Sequence, residues 1–331
     1  MAEQIWSIGP VLVLILMAEF VNGWTDAPNA IATVVSTRVL SPYQALLMAS
    51  VLNILGAFSG TAVAATIGKG IVDPSVINTT TVGAAMIGIV LWSTAAYYMG
   101  GIPTSESHAL VAGLAGAGLA TAGPSVLLWE GWRKVFIGLL FSTFLGFLGG
   151  LGIMLLLYRI FYHSRPGRLR IFFGRMQLVS AAFMAFSHGS NDGQKFIGVF
   201  TLALVLGGIL PEFNVPFWVI LLCAGTMGIG TALGGWKIIR TMGIRLTKLE
   251  PIHGFSAETA AALVIEGASR LGIPLSTTHT IGTSIIGVGS IQRFSAVRWG
   301  VASEIVAAWV LTFPICGSIA YVVAKIIFYL S

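Results

Sequence analysis

Two polar motifs in this chain occur twice, half a chain apart, and every copy lies within or beside an apolar run. Gly101-Ile102-Pro103-Thr104-Ser105-Glu106-Ser107-His108 returns as Gly272-Ile273-Pro274-Leu275-Ser276-Thr277-Thr278-His279. Phe20-Val21-Asn22-Gly23-Trp24-Thr25-Asp26 returns as Phe186-Ser187-His188-Gly189-Ser190-Asn191-Asp192. A weaker echo, Gly60-Thr61-Ala62 against Gly230-Thr231-Ala232, falls at nearly the same offset. The chain therefore reads as a duplicated unit, and any fold must place two copies of each motif in related positions.

The setting of these motifs decides the class. Hydrophobic residues make up 56% of the 331 positions and charged residues 9%, against roughly 25% charged in a soluble domain. Mean hydropathy is +0.90. A soluble core of this size cannot hide so much apolar surface, so the sequence predicts a multi-pass membrane protein. The net charge of +6 then reflects basic cytoplasmic loops and implies no nucleic-acid partner. Cys223 and Cys316 lie in apolar stretches and give no disulfide framework. Met1-Ala2-Glu3-Gln4 lacks the basic start of a cleavable signal, so the first apolar run is expected to be retained.

Apolar runs lie near 5–36, 42–67, 78–100, 104–123 and 135–158, and again near 176–210, 217–240, 253–271, 275–291 and 296–329. The spacing predicts an all-α protein of two repeats, 1–158 and 176–331, joined by a basic linker at 159–175. Five segments per repeat is an odd number, so the second repeat inserts inverted relative to the first. The runs at 5–36 and 176–210 exceed one straight span and carry Gly-x-x-Asp, which predicts helices broken there. The segments 104–123 and 275–291 either cross fully or re-enter; both options stay open.

Orientation follows from Lys and Arg. Arg159, Arg165, Arg168, Arg170 and Arg175 place the linker in the cytoplasm, and both termini then face outward. Arg38, Lys237, Arg240, Arg245, Lys248, Arg293 and Arg298 fall on the same side as the linker, and Lys69, Arg133, Lys134, Arg270 and Lys325 on the other.

Chemistry concentrates in the duplicated motifs. Gly permits a reversal and Pro suits the first turn of a helix. Each Pro-x-Ser motif therefore describes a helix that begins inside the membrane. The unpaired amides and positive dipole of its first turn suit an oxyanion. Thr104, Ser105, Ser107, Ser276, Thr277 and Thr278 add hydroxyl donors. Asp26 and Asp192 lie in apolar segments, where an ionised carboxylate costs at least ~3 kcal/mol unless paired or hydrated. Their neighbours Thr25, Asn29, Asn191 and Gln194 are oxygen ligands or amide donors. That set suits a hard cation such as Na⁺ at Asp26, Asn29 and Thr25 and at Asp192 and Asn191. Asn191 and Gln194 also qualify as donors to the anion. A plain helix cap explains each Asp equally well in isolation. Lys195 has no counterpart in the first repeat, where Asn29 stands, and is expected to pair with a carboxylate. Glu19, Glu258, Glu266 and Glu304 are further candidate coupling carboxylates. His108 and His279 are expected to make helix-packing hydrogen bonds.

These residues carry a family resemblance. Asn22 through Thr33, with Asp26-Ala27-Pro28-Asn29 at its centre, resembles the first signature of the PiT family of inorganic phosphate transporters. Ser187-His188-Gly189-Ser190-Asn191-Asp192-Gly193-Gln194-Lys195 resembles the second, and both Pro-x-Ser-x-(Ser/Thr)-His elements match. The resemblance implies cation-coupled phosphate uptake with Na⁺ or H⁺, no cofactor beyond the co-transported ion, an inverted repeat, a homodimer and a place in the plasma (inner) membrane. Two positions depart from strict duplication, Thr25 opposite Asn191 and Glu106 opposite Thr277. A sulfate permease of the same build is the nearest alternative. Hydrogen phosphate carries a proton and sulfate does not, so nearby carboxylate acceptors favour phosphate. An intramembrane aspartyl protease would also use two buried Asp, yet gives no reason for duplicated Pro-Ser loops.

Overall fold

In a computed structural model the chain is described at residues 2–292 and 294–330, and helix is its only regular element there. Arg293, counted above among the cytoplasmic basic residues, lies outside the described residues, as do Met1 and Ser331. Twelve α-helices follow in order: α1 (Ala2–Ser36), α2 (Pro42–Ala57), α3 (Ala62–Gly70), α4 (Thr79–Tyr98), α5 (Glu106–Ala122), α6 (Trp129–Ile160), α7 (Pro166–Leu206), α8 (Phe217–Leu233), α9 (Trp236–Arg240), α10 (Pro251–Arg270), α11 (Thr277–Gln292) and α12 (Trp299–Leu330). The second six repeat the first: a very long helix, a bent pair, a helix of 20 residues, a shorter one, and a helix of 32. The chain is a multi-pass membrane protein. Of the described helices, α4, α6, α7, α12 and Ser7–Ser36 of α1 are long and apolar enough to span a bilayer alone. The bent pairs α2/α3 and α8/α9 bring the number to seven.

Local sequence explains where helices start. Ser41 caps α2 reciprocally with Gln44, and Pro42 sits where its missing N–H costs nothing. Asn78 and Thr81 cap α4 in the same way. Gly101 and Gly272 both take φ of +65°, a left-handed turn that aims each Pro-Ser arm back into the protein. The helices that follow those arms are short. At 17 and 16 residues, α5 and α11 run roughly 24–26 Å at 1.5 Å per residue, less than a hydrocarbon core of about 30 Å.

One expectation is overturned. Neither α1 nor α7 breaks at its Gly-x-x-Asp; α1 is helical over 35 residues and α7 over 41. The bends fall instead between α2 and α3, at 70°, and between α8 and α9, at 61°. The motif glycines serve close approach. A Cβ on Gly23 would sit 2.3 Å from the Met227 carbonyl oxygen of α8, and one on Gly189 would sit 2.1 Å from the Asn53 carbonyl oxygen of α2. A lone Gly costs a helix about 1 kcal/mol, which this packing offsets, so the helix continues.

Those contacts also interlock the halves. α1 packs on α8 and α7 on α2, while α5 packs on α12 and α11 on α6. Each repeat thus completes its interior with helices of the other. The small-residue pattern reads directly as this packing: a Cβ on Gly116 would meet the Gly317 carbonyl oxygen at 2.0 Å, and one on Gly287 the Phe147 carbonyl oxygen at 2.3 Å. The linker region is mostly helical. A turn at 161–165 leads into Pro166, and 166–175 belong to α7.

Candidate functional site

The two Pro-Ser arms meet. Ser105 Oγ donates to Ser276 Oγ at 2.9 Å, and both side chains are buried. Each serine also caps its own helix, Ser105 accepting from the His108 amide at 3.3 Å and Ser276 from the His279 amide at 3.2 Å. The starts of α5 and α11 therefore converge with their positive ends on one region. Beside them His108 and His279 stand edge to face at 4.5 Å between centroids, and His279 stacks on Trp309 at 3.8 Å. Trp309 Nε1 donates to the Pro103 carbonyl at 3.1 Å, tying α12 to the first arm. The expected packing hydrogen bond is missing at His108 Nδ1, which is buried without a partner. It also fails for His279, whose ring nitrogens have no partner and whose ring packs by stacking.

α1 and α7 present the acidic motifs to this point. Helical spacing puts Asp26 with Asn29, and Asp192 with both His188 and Lys195, on single faces. Asn29 Nδ2 donates to Thr278 Oγ1 at 2.9 Å and Thr277 Oγ1 at 3.3 Å. Thr277 Oγ1 donates to Asp192 Oδ2 at 2.8 Å, and Thr278 Oγ1 reaches Asp26 Oδ1 at 3.5 Å. Lys195 is paired with Asp192 Oδ1, as expected for a buried ammonium, and its Nζ also donates to Ser107 Oγ and to the Leu275 carbonyl at 2.8 Å. The ligand atoms of Asp26, His188 and Asp192 lie within 4.8 Å of one another.

His188 is a residue that sequence reasoning passed over. Thr231 donates to the Met227 carbonyl, so its Oγ1 accepts from Asn53 Nδ2 at 3.0 Å. That orients Asn53 Oδ1 toward His188 Nδ1 at 3.1 Å, which must be the protonated nitrogen. His188 Nε2 is then left 3.3 Å from Asp192 Oδ2, an ion pair when the ring carries a second proton. The signal lay in the helical spacing of His188 and Asp192, four residues apart.

The remaining candidates divide. Asp26, Asn29, Asp192, Ser107, Thr277 and Thr278 form one connected network through Lys195, and Ser105 and Ser276 pair with each other on the same two arms. Thr25 turns away to Glu106, donating to Oε1 at 3.1 Å, while Ser93 donates to Oε2 at 2.7 Å. Thr104 is buried on the first arm. Asn191 donates to Ser269 at 2.9 Å and to the Ile273 carbonyl at 3.3 Å, leaving a buried Oδ1 without a partner. Gln194 points to the α3 start, accepting from the Val63 amide at 3.0 Å. Of the four further glutamates, Glu19 and Glu258 are fully buried, Glu266 pairs with Arg270, and Glu304 is exposed. Glu258 takes donors from Thr33 at 2.6 Å, Gln177 at 3.0 Å and Ser180. The sequence offered no hint of that cluster, because its donors come from two other helices.

Ser107, His108, Lys195, Pro274 and Ser276 line a small closed cavity of about 10 Å³. That is room for about one water. Two converging helix starts with buried hydroxyls beside them are groups able to donate to an oxyanion, while the Lys195 ammonium already gives its donors to Asp192, Ser107 and Leu275.

A sequence profile described as the phosphate transporter family matches residues 22–320. The chain belongs to the phosphate transporter family. It is 44% identical over 306 residues to a "Probable low-affinity inorganic phosphate transporter" of Rhizobium meliloti (strain 1021), covering 92% of this chain and 91% of that one. It is 40% identical over 324 residues to a protein of the same description from Bacillus subtilis (strain 168), covering 96% and 97%. A solved structure titled "The sodium-dependent phosphate transporter" superposes with a TM-score of 0.89 over 98% of this chain and 99% of that one, at 24% identity. Membership makes the chain a phosphate transporter, not an enzyme, which removes the protease alternative. The duplicated signatures and the Pro-Ser arms all lie within the span matched to the family.

Proposed function

We propose that the chain imports inorganic phosphate together with a cation, Na⁺ foremost, by exposing one central site alternately to the two sides of the membrane. The observation that carries this reading is the charge of the interior. Among the described residues, Glu19, Asp26, Glu106, Asp192 and Glu258 are buried carboxylates and Lys195 is the buried ammonium. Buried charges need counter-charges. An anion entering that interior adds to the deficit, so its binding favours simultaneous cation binding, and linkage makes the help mutual.

Phosphate is held by the starts of α5 and α11 through Ser105, Ser107, Ser276, Thr277 and Thr278. The coupling cation balances the Asp26 and Asp192 carboxylates, with Asn29 and the free Oδ1 of Asn191 as added oxygens. The sodium dependence of the structural relative favours Na⁺ over H⁺. The repeats lie inverted in the plasma membrane with the 159–175 segment in the cytoplasm and both termini outside. The resemblance carries the homodimer.

Radiolabelled phosphate uptake into proteoliposomes, with Na⁺ and pH gradients imposed separately and sulfate as competitor, tests this. Uptake driven by the Na⁺ gradient at constant pH is the expected result. Uptake driven by pH alone would replace Na⁺ with H⁺, and equal transport of sulfate would overturn the substrate.

A further inference from the structure

The two halves of the site are related by the duplication, but they are not chemically equal. Superposing the motifs sets Asp26 on Asp192, Asn29 on Lys195, Thr278 on Ser107, and Thr104 on Leu275. The contacts obey that correspondence. Asn29 Nδ2 donates to Thr278 Oγ1 as Lys195 Nζ donates to Ser107 Oγ. In the first half an amide therefore stands beside the carboxylate and hydroxyl oxygens. In the second half the ammonium itself sits among them, bonded to the Asp192 carboxylate, the Ser107 hydroxyl and the Leu275 carbonyl at once.

An ammonium has three donors, and all three are used here. Carboxylate, hydroxyl and carbonyl oxygens together are the ligand set of a hard monovalent or divalent cation. Lys195 is 2% exposed and tethered three residues from Asp192, so its charge does not leave with a transported ion. Charge gives the same answer as geometry. Asp26 and Asp192 carry two negative charges between them, and Lys195 cancels one. A neutral residue at 195 leaves the Asp192 charge for one more cation to balance.

We propose that the Lys195 ammonium is a built-in counter-ion filling the cation position of the second repeat, so that the exchangeable cation binds at the Asp26 position alone. Lys195 thereby sets how many cations accompany each phosphate. The proposal rests on the transport reading above and narrows it to a stoichiometry.

The test counts ²²Na⁺ bound per chain at saturation by equilibrium dialysis of the purified, full-length protein with phosphate present. Wild type, Lys195→Asn and Lys195→Arg are compared after size-exclusion chromatography has shown each to be folded. Lys195→Asn should bind one Na⁺ more than wild type, and Lys195→Arg the same number as wild type. Asn29→Lys, which sets an ammonium in the first position as well, should bind one fewer and keeps the proposal testable if Lys195→Asn does not fold. An unchanged count in folded Lys195→Asn, or in folded Asn29→Lys, overturns the assignment. Failure of the coupling reading looks different: Na⁺-independent uptake by wild type would discard Na⁺ as the coupling ion. The increment in Lys195→Asn would still report whether Lys195 holds a cation position.

Discussion

Ser105 and Ser276, 171 residues apart in sequence, are joined by a hydrogen bond of 2.9 Å. Each is the cap of its own helix and the partner of its own copy. Two loops that read as separate anion-binding starts are thus one structure, closed over a cavity with room for about one water. Any separation of the two arms would break this pair.

That pairing gives a direct test of alternating access. With Ser105→Cys and Ser276→Cys combined, oxidation should lock the arms and abolish phosphate uptake, and reduction should restore it. The native Cys223 and Cys316 are buried and unpaired, so wild type exposed to the same oxidant serves as the control. Full uptake with the bridge formed, verified by mass spectrometry, would rule out arm separation as a required step.

Removing hydroxyl donors should weaken anion binding more than the fold. A hydrogen bond to a charged group is worth about 1.5–3 kcal/mol, so Ser105→Ala with Thr277→Ala should raise the phosphate Kd tenfold or more. Loss of the Ser105 cap should cost stability about 1 kcal/mol. Isothermal titration and thermal melting separate the two effects, and a normal Kd would move the anion site elsewhere.

The two aspartates should respond differently to Asn. Asp192→Asn strands the Lys195 ammonium, and breaking a buried pair from one side costs about 3–5 kcal/mol. Asp26 has no such partner among its contacts, so Asp26→Asn should fold and instead demand more Na⁺ for half-maximal uptake. Asp26 lies inside the continuous α1 and caps no helix, so unaltered Na⁺ dependence in Asp26→Asn would remove Asp26 from the cation site. Thermal melting of Asp192→Asn, with and without Lys195→Asn, checks the other half: the double variant should recover most of the loss.

Packing at the motif glycines is checked by Gly189→Leu. A side chain there collides with the backbone of Asn53, and overpacking of this kind costs about 1–3 kcal/mol. Gly152, inside α6 with open space around its Cβ position, should accept Ala with a small rise in Tm, since Gly costs a helix interior about 1 kcal/mol relative to Ala. Equal Tm values for the Gly189 and Gly152 variants would contradict the close approach of α7 to α2.

Trp309 joins α12 to both arms, by its stack on His279 and its bond to Pro103. Trp309→Phe keeps an aromatic face and should lose only the hydrogen bond, about 0.5–1.5 kcal/mol. Trp309→Ala should lose about 3–5 kcal/mol. Near-equal melting shifts for the two variants would show that the stack contributes little.

Much of this protein was legible in its sequence. Composition required a membrane, and the returning motifs required two like units. Gly101-Ile102-Pro103 and Gly272-Ile273-Pro274 spelled a reversal followed by a helix start, because a positive φ and a fixed proline φ are properties of single residues. The residues of the polar network were legible for a related reason: an Asp or a run of hydroxyls in an apolar segment needs an explanation wherever the chain goes. Other features depended on what lies alongside. Gly23 and Gly189 looked like breaks and turned out to be contacts, because whether a glycine ends a helix depends on the neighbouring helix that covers it. Gln194 and Thr25 stood beside the aspartates in sequence but point to the start of α3 and to Glu106. A helix sends residues one or two apart to different faces. Lys195 was expected to pair with a carboxylate, and its spacing from Asp192 allowed that. Its other partners, Ser107 and Leu275, come from both repeats, and no spacing rule within one helix predicts them. The sequence determined which groups had to be buried; the packing of α1 and α7 against two converging arms decided which of them meet, because burial leaves each charge no partner except those the tertiary fold brings within reach.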